Sequence, residues 1–191
     1  WLFRQHVDMQ SAMRALRQCG VPYQVAGGRG FFQEREIKDA LALLAALDDP
    51  DDSQAVLRCL TLPSWGVSTP GRVALVRAAH DHDLPLVRLI ADEAVEGLDA
   101  MDVLAAQQCV QDIHELHAAS FREDVRDLFQ LGLEASGFLG IVDEQSGVAR
   151  FQMGANLNKL GELLEAFADW SDARRGRAPL TRLSIPAHSP V

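Results

Sequence analysis

A mostly α-helical fold, with a short strand–helix–strand margin at its N-terminus, is predicted from three observations. Leu and Ala are abundant while aromatic residues make up 6% of the chain, a balance that favours helices over sheets. From Glu34 onward, apolar residues recur at three- and four-residue steps, the period of an amphipathic helix. Before that point Val21-Pro22-Tyr23-Gln24-Val25 alternates as a strand does.

Trp1-Leu2-Phe3 reads as the end of a buried strand. Met9, Ala12, Met13, Leu16 and Cys19 share one helical face, with Asp8 as the expected N-cap. Gly20 is placed to terminate that helix, and Pro22 bars its continuation. Residues 1–26 therefore look like the margin of an α/β domain. Phe31 and Phe32 are expected as core anchors ahead of the next helix, whose stripe is Ile37, Ala40, Leu41, Leu44 and Leu47. Asp48-Asp49-Pro50-Asp51-Asp52 is a turn, with an Asp or Ser able to cap the helix over Ala55 to Leu62. Pro63 to Gly71 is a tight loop. Helices are expected over Arg72 to His80, Pro85 to Ala91, Asp102 to Ala119 and Phe121 to Leu133. The third of these has Val103, Leu104, Val110, Ile113, Leu116 and His117 as its expected inner face. Glycines at 137, 140 and 147 mark residues 134–148 as loop, and Leu157 to Trp170 as the final helix. Beyond Ser171 the chain turns polar, and a frayed tail is expected.

The 191 residues allow one or two domains, and a hydrophobic share of 48% is ample for a core. Net charge is −9, but residues 1–40 carry +2 and the remaining residues −11. Acidity argues against binding nucleic acid by charge alone, so any such contact is expected near the N-terminal end. Cys19, Cys59 and Cys109 lack the close spacing of zinc or redox motifs and read as core or half-buried thiols of a reducing compartment. No apolar run is long enough for a membrane span. The chain opens Trp1-Leu2-Phe3-Arg4, without Met or a signal peptide, so a segment of a longer cytoplasmic protein is expected.

Candidate chemistry is sparse. A P-loop needs a lysine and a hydroxyl at fixed offsets from its glycines, and Gly27 to Gly30 has neither. No Gly-x-Ser-x-Gly elbow occurs. His80-Asp81-His82-Asp83 resembles a metal cluster, yet adjacent helical residues point about 100° apart, and a solvated loop is the preferred reading. His114 and His117 share a helix face without a third ligand. The aspartates at 48, 49, 51 and 52 read as capping groups in a solvated turn.

Gly27-Gly28-Arg29-Gly30-Phe31-Phe32, followed by Glu36-Ile37-Lys38-Asp39-Ala40-Leu41, resembles the junction motif of UvrD/Rep/PcrA-type superfamily 1 DNA helicases. In that family the motif marks the passage from the second motor domain into its inserted helical subdomain, 2B. Phe3-Arg4, Gly20-Val21-Pro22-Tyr23, the Asp48–Asp52 turn and Gly154-Ala155-Asn156-Leu157-Asn158-Lys159-Leu160 extend the resemblance. The strongest likeness covers residues 1–70 and 150–170. Pro63-Ser64-Trp65-Gly66-Val67-Ser68 stands where the family has a Gly-Ile-Gly loop, and looks closer to RecB/AddA-type helicase–nucleases.

By this resemblance Arg4 takes the place of an arginine on the single-strand track, and His6 that of a contacting asparagine. Gly30 stands where a basic residue precedes the paired aromatics, with Arg29 one step earlier. Gly66, Val67 and Ser68 replace the loop whose amides meet duplex phosphates, where small residues permit close approach. Ser68 supplies a hydroxyl in place of the second glycine.

The resemblance implies residues 1–33 as the edge of the second motor domain with its junction, 34–175 as a helical 2B-type subdomain, and 176–191 as a polar tail. It further implies an ATP-dependent 3′→5′ DNA helicase of repair or recombination, with ATP and Mg²⁺ bound elsewhere in the full-length protein. Expected partners are a single-strand/duplex DNA junction, the remaining motor domains and a partner subunit. Two rivals stand beside it: a helical protein-interaction module with an acidic surface, and a metal-dependent hydrolase using the histidines near 80 and 114.

Overall fold

Residues 6–21, 30–92, 95 and 97–175 are described by a computed structural model. Helix α1 (His6–Gln18) starts ahead of Asp8, which therefore lies in the first turn instead of capping it. Gly20, at φ +66°, closes α1, and the Val21 amide donates back to Leu16 O at 2.9 Å. The flanking strands expected at 1–3 and over 22–25 lie outside the described residues, and among those described no strand is present.

A 3-10 turn, Phe31–Gln33, feeds α2 (Arg35–Asp48). Phe31 is 5% exposed, but Phe32, edge-on to it at 5.0 Å, is 48% exposed. The expected pair of anchors is thus a single anchor, because a 3-10 turn rotates successive side chains by about a third of a circle. Helix α2 is the centre of the bundle, packed against α3 (Ser53–Cys59), α6 (Ala100–Ala119), α7 (Val125–Ala135) and α9 (Gly147–Arg175). Leu43 and Ala46 are buried alongside Ile37, Ala40 and Leu47, while Leu41 and Leu44 are only half-buried. The apolar face is rotated relative to the stripe read from spacing, because helices cover α2 on several sides.

Helices α4 (Thr69–His82), α5 (Leu86–Asp92) and α8 (Phe138–Glu144) complete the set. Asp52 caps α3 as expected, accepting from the Gln54 and Ala55 amides. The helix expected from Phe121 starts instead at Val125, where Asp124 caps it by accepting from the Arg126 and Asp127 amides. Asp49 folds its carboxylate onto the Asp51 amide at 3.0 Å, and Asp51 pairs with Arg88 of α5.

The C-terminal half departs from the pattern expected. Residues 134–148 contain α8, and α9 begins well before Leu157. Gly137 and Gly147, at φ +71° and +56°, sit in left-handed conformation at helix boundaries, so these glycines punctuate helices and do not mark an extended loop. Phe138 is buried and anchors the short α8. On α6, Leu104 faces outward at 61% exposure, while Ala106 and Cys109 turn inward with Val110, Ile113 and Leu116. The buried partners of α6 select a different arc from the one that residue size indicates.

Candidate nucleic-acid interface

The segment from Pro63 to Gly71 joins α3 to α4 and is held from beneath by Trp65. The indole is 1% exposed, and its Nε1–H donates to Asp112 Oδ2 on α6 at 2.7 Å. A large aromatic buried with its polar edge partnered is a stable plug. Above it the chain turns at Gly66, exposed and at φ +30°.

The amides of this turn are used within the chain. Gly66 donates to Leu62 O at 2.7 Å and Val67 to Leu60 O at 2.9 Å. The Ser68 amide donates to Asp102 Oδ1 at 2.7 Å, and its hydroxyl to Asp102 Oδ2 at 2.5 Å. Ser68 Oγ in turn accepts from the Gly71 amide at 3.1 Å, capping α4. Buried Asp102 thus places a carboxylate at the N-terminus of α4, where the helix dipole favours an anion. Gly71 makes room for it, since a Cβ at that position would collide with Asp102 Oδ2.

Arg72 lies over the same turn, donating from Nη1 to Val67 O and from Nη2 to Thr69 Oγ1 at 3.0 Å. The Thr69 hydroxyl, accepting from Arg72, keeps its own proton for another acceptor. The guanidinium likewise keeps further N–H groups. The outward chemistry of the loop therefore resides in Thr69 and Arg72. Sequence reasoning missed both, although Arg72 stands four residues after the capping Ser68, within reach back over one turn. It also missed Asp102, whose tie to Ser68 spans 34 residues.

Arg4 and Arg29 lie outside the described residues, and only the backbone of His6 is described, at the start of α1. Gly30 has helical backbone dihedrals (φ −65°, ψ −39°) and precedes the 3-10 turn. Of the sequence-predicted residues, the structure brings together Gly66, Val67 and Ser68, with the Val67 side chain buried beneath the loop.

The histidines go elsewhere. His80 and His82 occupy the last turn of α4, not a loop, and Asp83 closes it in left-handed conformation. His117 Nδ1 lies 2.6 Å from Leu47 O near the end of α2, whereas His114 is exposed. Among the described residues, no three His, Cys, Asp or Glu side chains converge as a metal ion requires. Cys59 and Cys109 are buried, while Cys19 is exposed, contrary to the half-buried setting expected. Burial, reinforced by the charge of Asp39, pushes the Cys59 thiol up to about 12, and burial also raises Cys109. Neither is a poised nucleophile. No helix among the described residues is long and apolar enough to cross a membrane.

The sequence model of the family described as UvrD-like helicase C-terminal domain matches residues 1–184. The chain is 25% identical to the ATP-dependent DNA helicase UvrD1 of Mycobacterium tuberculosis over 193 residues, covering 93% of this chain and 23% of that protein. It is 23% identical to the ATP-dependent DNA helicase PcrA of Leuconostoc citreum over 181 residues, covering 93% and 24%. With DNA helicase II of Escherichia coli it shares 26% identity over 126 residues, covering 59% and 18%. The chain thus spans about a quarter or less of the length of these curated relatives.

Proposed function

This chain belongs to the UvrD-like helicase C-terminal domain family, and we propose that it is the helical 2B-type part of an ATP-dependent DNA helicase. In the full-length protein, read as a 3′→5′ translocase of cytoplasmic repair or recombination, it touches duplex DNA and regulates unwinding. Two of its relatives are named as ATP-dependent DNA helicases, which supports the reading. Residues 34–175 form the subdomain, with 1–33 as the junction to a motor domain and 176–191 as a tail. ATP and Mg²⁺ are assigned to the motor domains of the full-length protein.

The observation that carries the DNA reading is the loop before α4. Gly66 lets a phosphate backbone approach closely, and exposed Thr69 and half-buried Arg72 keep unused donors beside it. The loop amides being engaged, the phosphate contact runs through these two side chains, with Gly66, Val67 and Ser68 setting the shape. Arg4, His6, Arg29 and Gly30 supply the single-strand side.

The test is a fluorescence-anisotropy titration with a duplex bearing a 3′ single-stranded tail, from low to moderate salt. Arg72→Ala is expected to weaken binding about tenfold, about 1.4 kcal/mol. It should also reduce the salt slope by about one. Arg4→Ala and Arg29→Ala are expected to weaken binding to the tailed duplex more than to the blunt one. Binding that ignores both salt and Arg72 would remove DNA contact from this chain's role.

A further inference from the structure

Beside that loop, α2, α3 and α4 enclose an open groove of about 850 Å³. Its apolar lining includes Leu41 and Leu57, with Val73 and Val76 forming one wall at 46% and 43% exposure. Those two valines stand three residues apart on α4 and so share a face. The rim is basic: Arg58, Arg72 and Arg77 border the groove, and Asp52 is the single acid among its lining residues.

Asp52 is occupied in capping α3. Arg77 has no ion-pair or hydrogen-bond partner among the described residues. Arg58 and Arg35 share the one buried carboxylate of Asp39, at 2.6 and 3.6 Å, which leaves a positive surplus at that edge. In a chain of net charge −9, this groove inverts the prevailing sign.

We infer that the groove is a docking site for an acidic amphipathic helix of a partner protein. The apolar lining suits the hydrophobic stripe of such a helix, and the arginines meet its flanking carboxylates. The rest of the acidic surface repels the same helix, so specificity and placement come from one charge pattern. A nucleic-acid backbone matches the rim but leaves the apolar lining without a counterpart.

The probe is a pair of displayed libraries of helical peptides about 20 residues long, enough to hold a helix. Both carry leucines at three- and four-residue spacing; one has Asp and Glu at the flanking positions and the other Lys and Arg. The acidic library is expected to enrich on the intact chain. The selected peptides are expected to lose about tenfold or more in affinity on Val76→Asp and on Arg77→Glu. Both positions are exposed, and matched thermal melts establish that the two variants are folded. Failure of the acidic library to enrich, enrichment of the basic one, or selected peptides indifferent to both substitutions would overturn the proposal. So would loss of tailed-duplex binding on Val76→Asn, which adds no charge beside Arg72, since that would make the groove a nucleic-acid surface.

Discussion

The side-chain amide of Asn156 donates to Glu36 Oε1 at 2.6 Å, joining the first turn of α2 to the middle of α9 across 120 residues of sequence. Both side chains are buried. Glu36 follows the glycine–aromatic junction and Asn156 sits in the Ala-Asn-Leu segment, so the two motifs that resemble the helicase family most closely meet in space. A buried carboxylate with a single strong donor depends on it heavily.

Removing that donor should be costly. Asn156→Ala is expected to destabilise the chain by about 2–4 kcal/mol, because Glu36 stays buried and loses its partner. Glu36→Gln keeps an acceptor in place and should cost about 1 kcal/mol or less. Urea midpoints of the two variants check this. Equal losses would show that the bond carries no special weight.

Asp102 and Gly71 should act as a unit. Asp102→Ala strips Ser68 of two hydrogen bonds, and Gly71→Ala pushes the same carboxylate away. Each substitution is expected to cost about 1–3 kcal/mol. The double variant should cost clearly less than the two together, a coupling of about 1 kcal/mol in a double-mutant cycle. Strict additivity would mean that Gly71 does not serve the carboxylate.

The cysteines predict both a reactivity pattern and an alkaline limit. At pH 8 a chromogenic disulfide reagent should titrate Cys19 in the native chain, and Cys59 and Cys109 only after unfolding. The Cys59 thiol is raised from 9.0 to about 12, mainly by burial. A folded-state value above the unfolded one contributes stability below about pH 9, and that contribution is lost as pH rises toward about 12. Urea midpoints should therefore fall across that window, and Cys59→Ala should flatten the fall. An unchanged slope in that variant would assign the alkaline loss to other groups.

Much of this fold was legible from spacing and caps. The capping aspartate at 52 and the terminator Gly20 act locally, through the nearest amides and a left-handed turn. Residues 134–148 were misread because glycine disfavours helix, whereas Gly137 and Gly147 stand at helix ends and buried Phe138 holds α8 in place. Leu104 is apolar yet exposed because the helices packed on α6 cover a different arc, and Phe32 because the 3-10 turn rotates it away from buried Phe31. Spacing marks Gly66–Ser68 as a loop, but not that its amides are used within the chain.

The sequence by itself determined the helical class, the positions of most helices and the kinship with helicases, because periodicity, caps and junction motifs act over a few residues. Only the tertiary structure decided that Asp102 fills the start of α4, that Arg72 folds back over the loop onto Val67 and Thr69, and that three arginines border an apolar groove. Those relations join residues far apart in the chain. They arise from how helices pack, which local propensity does not encode.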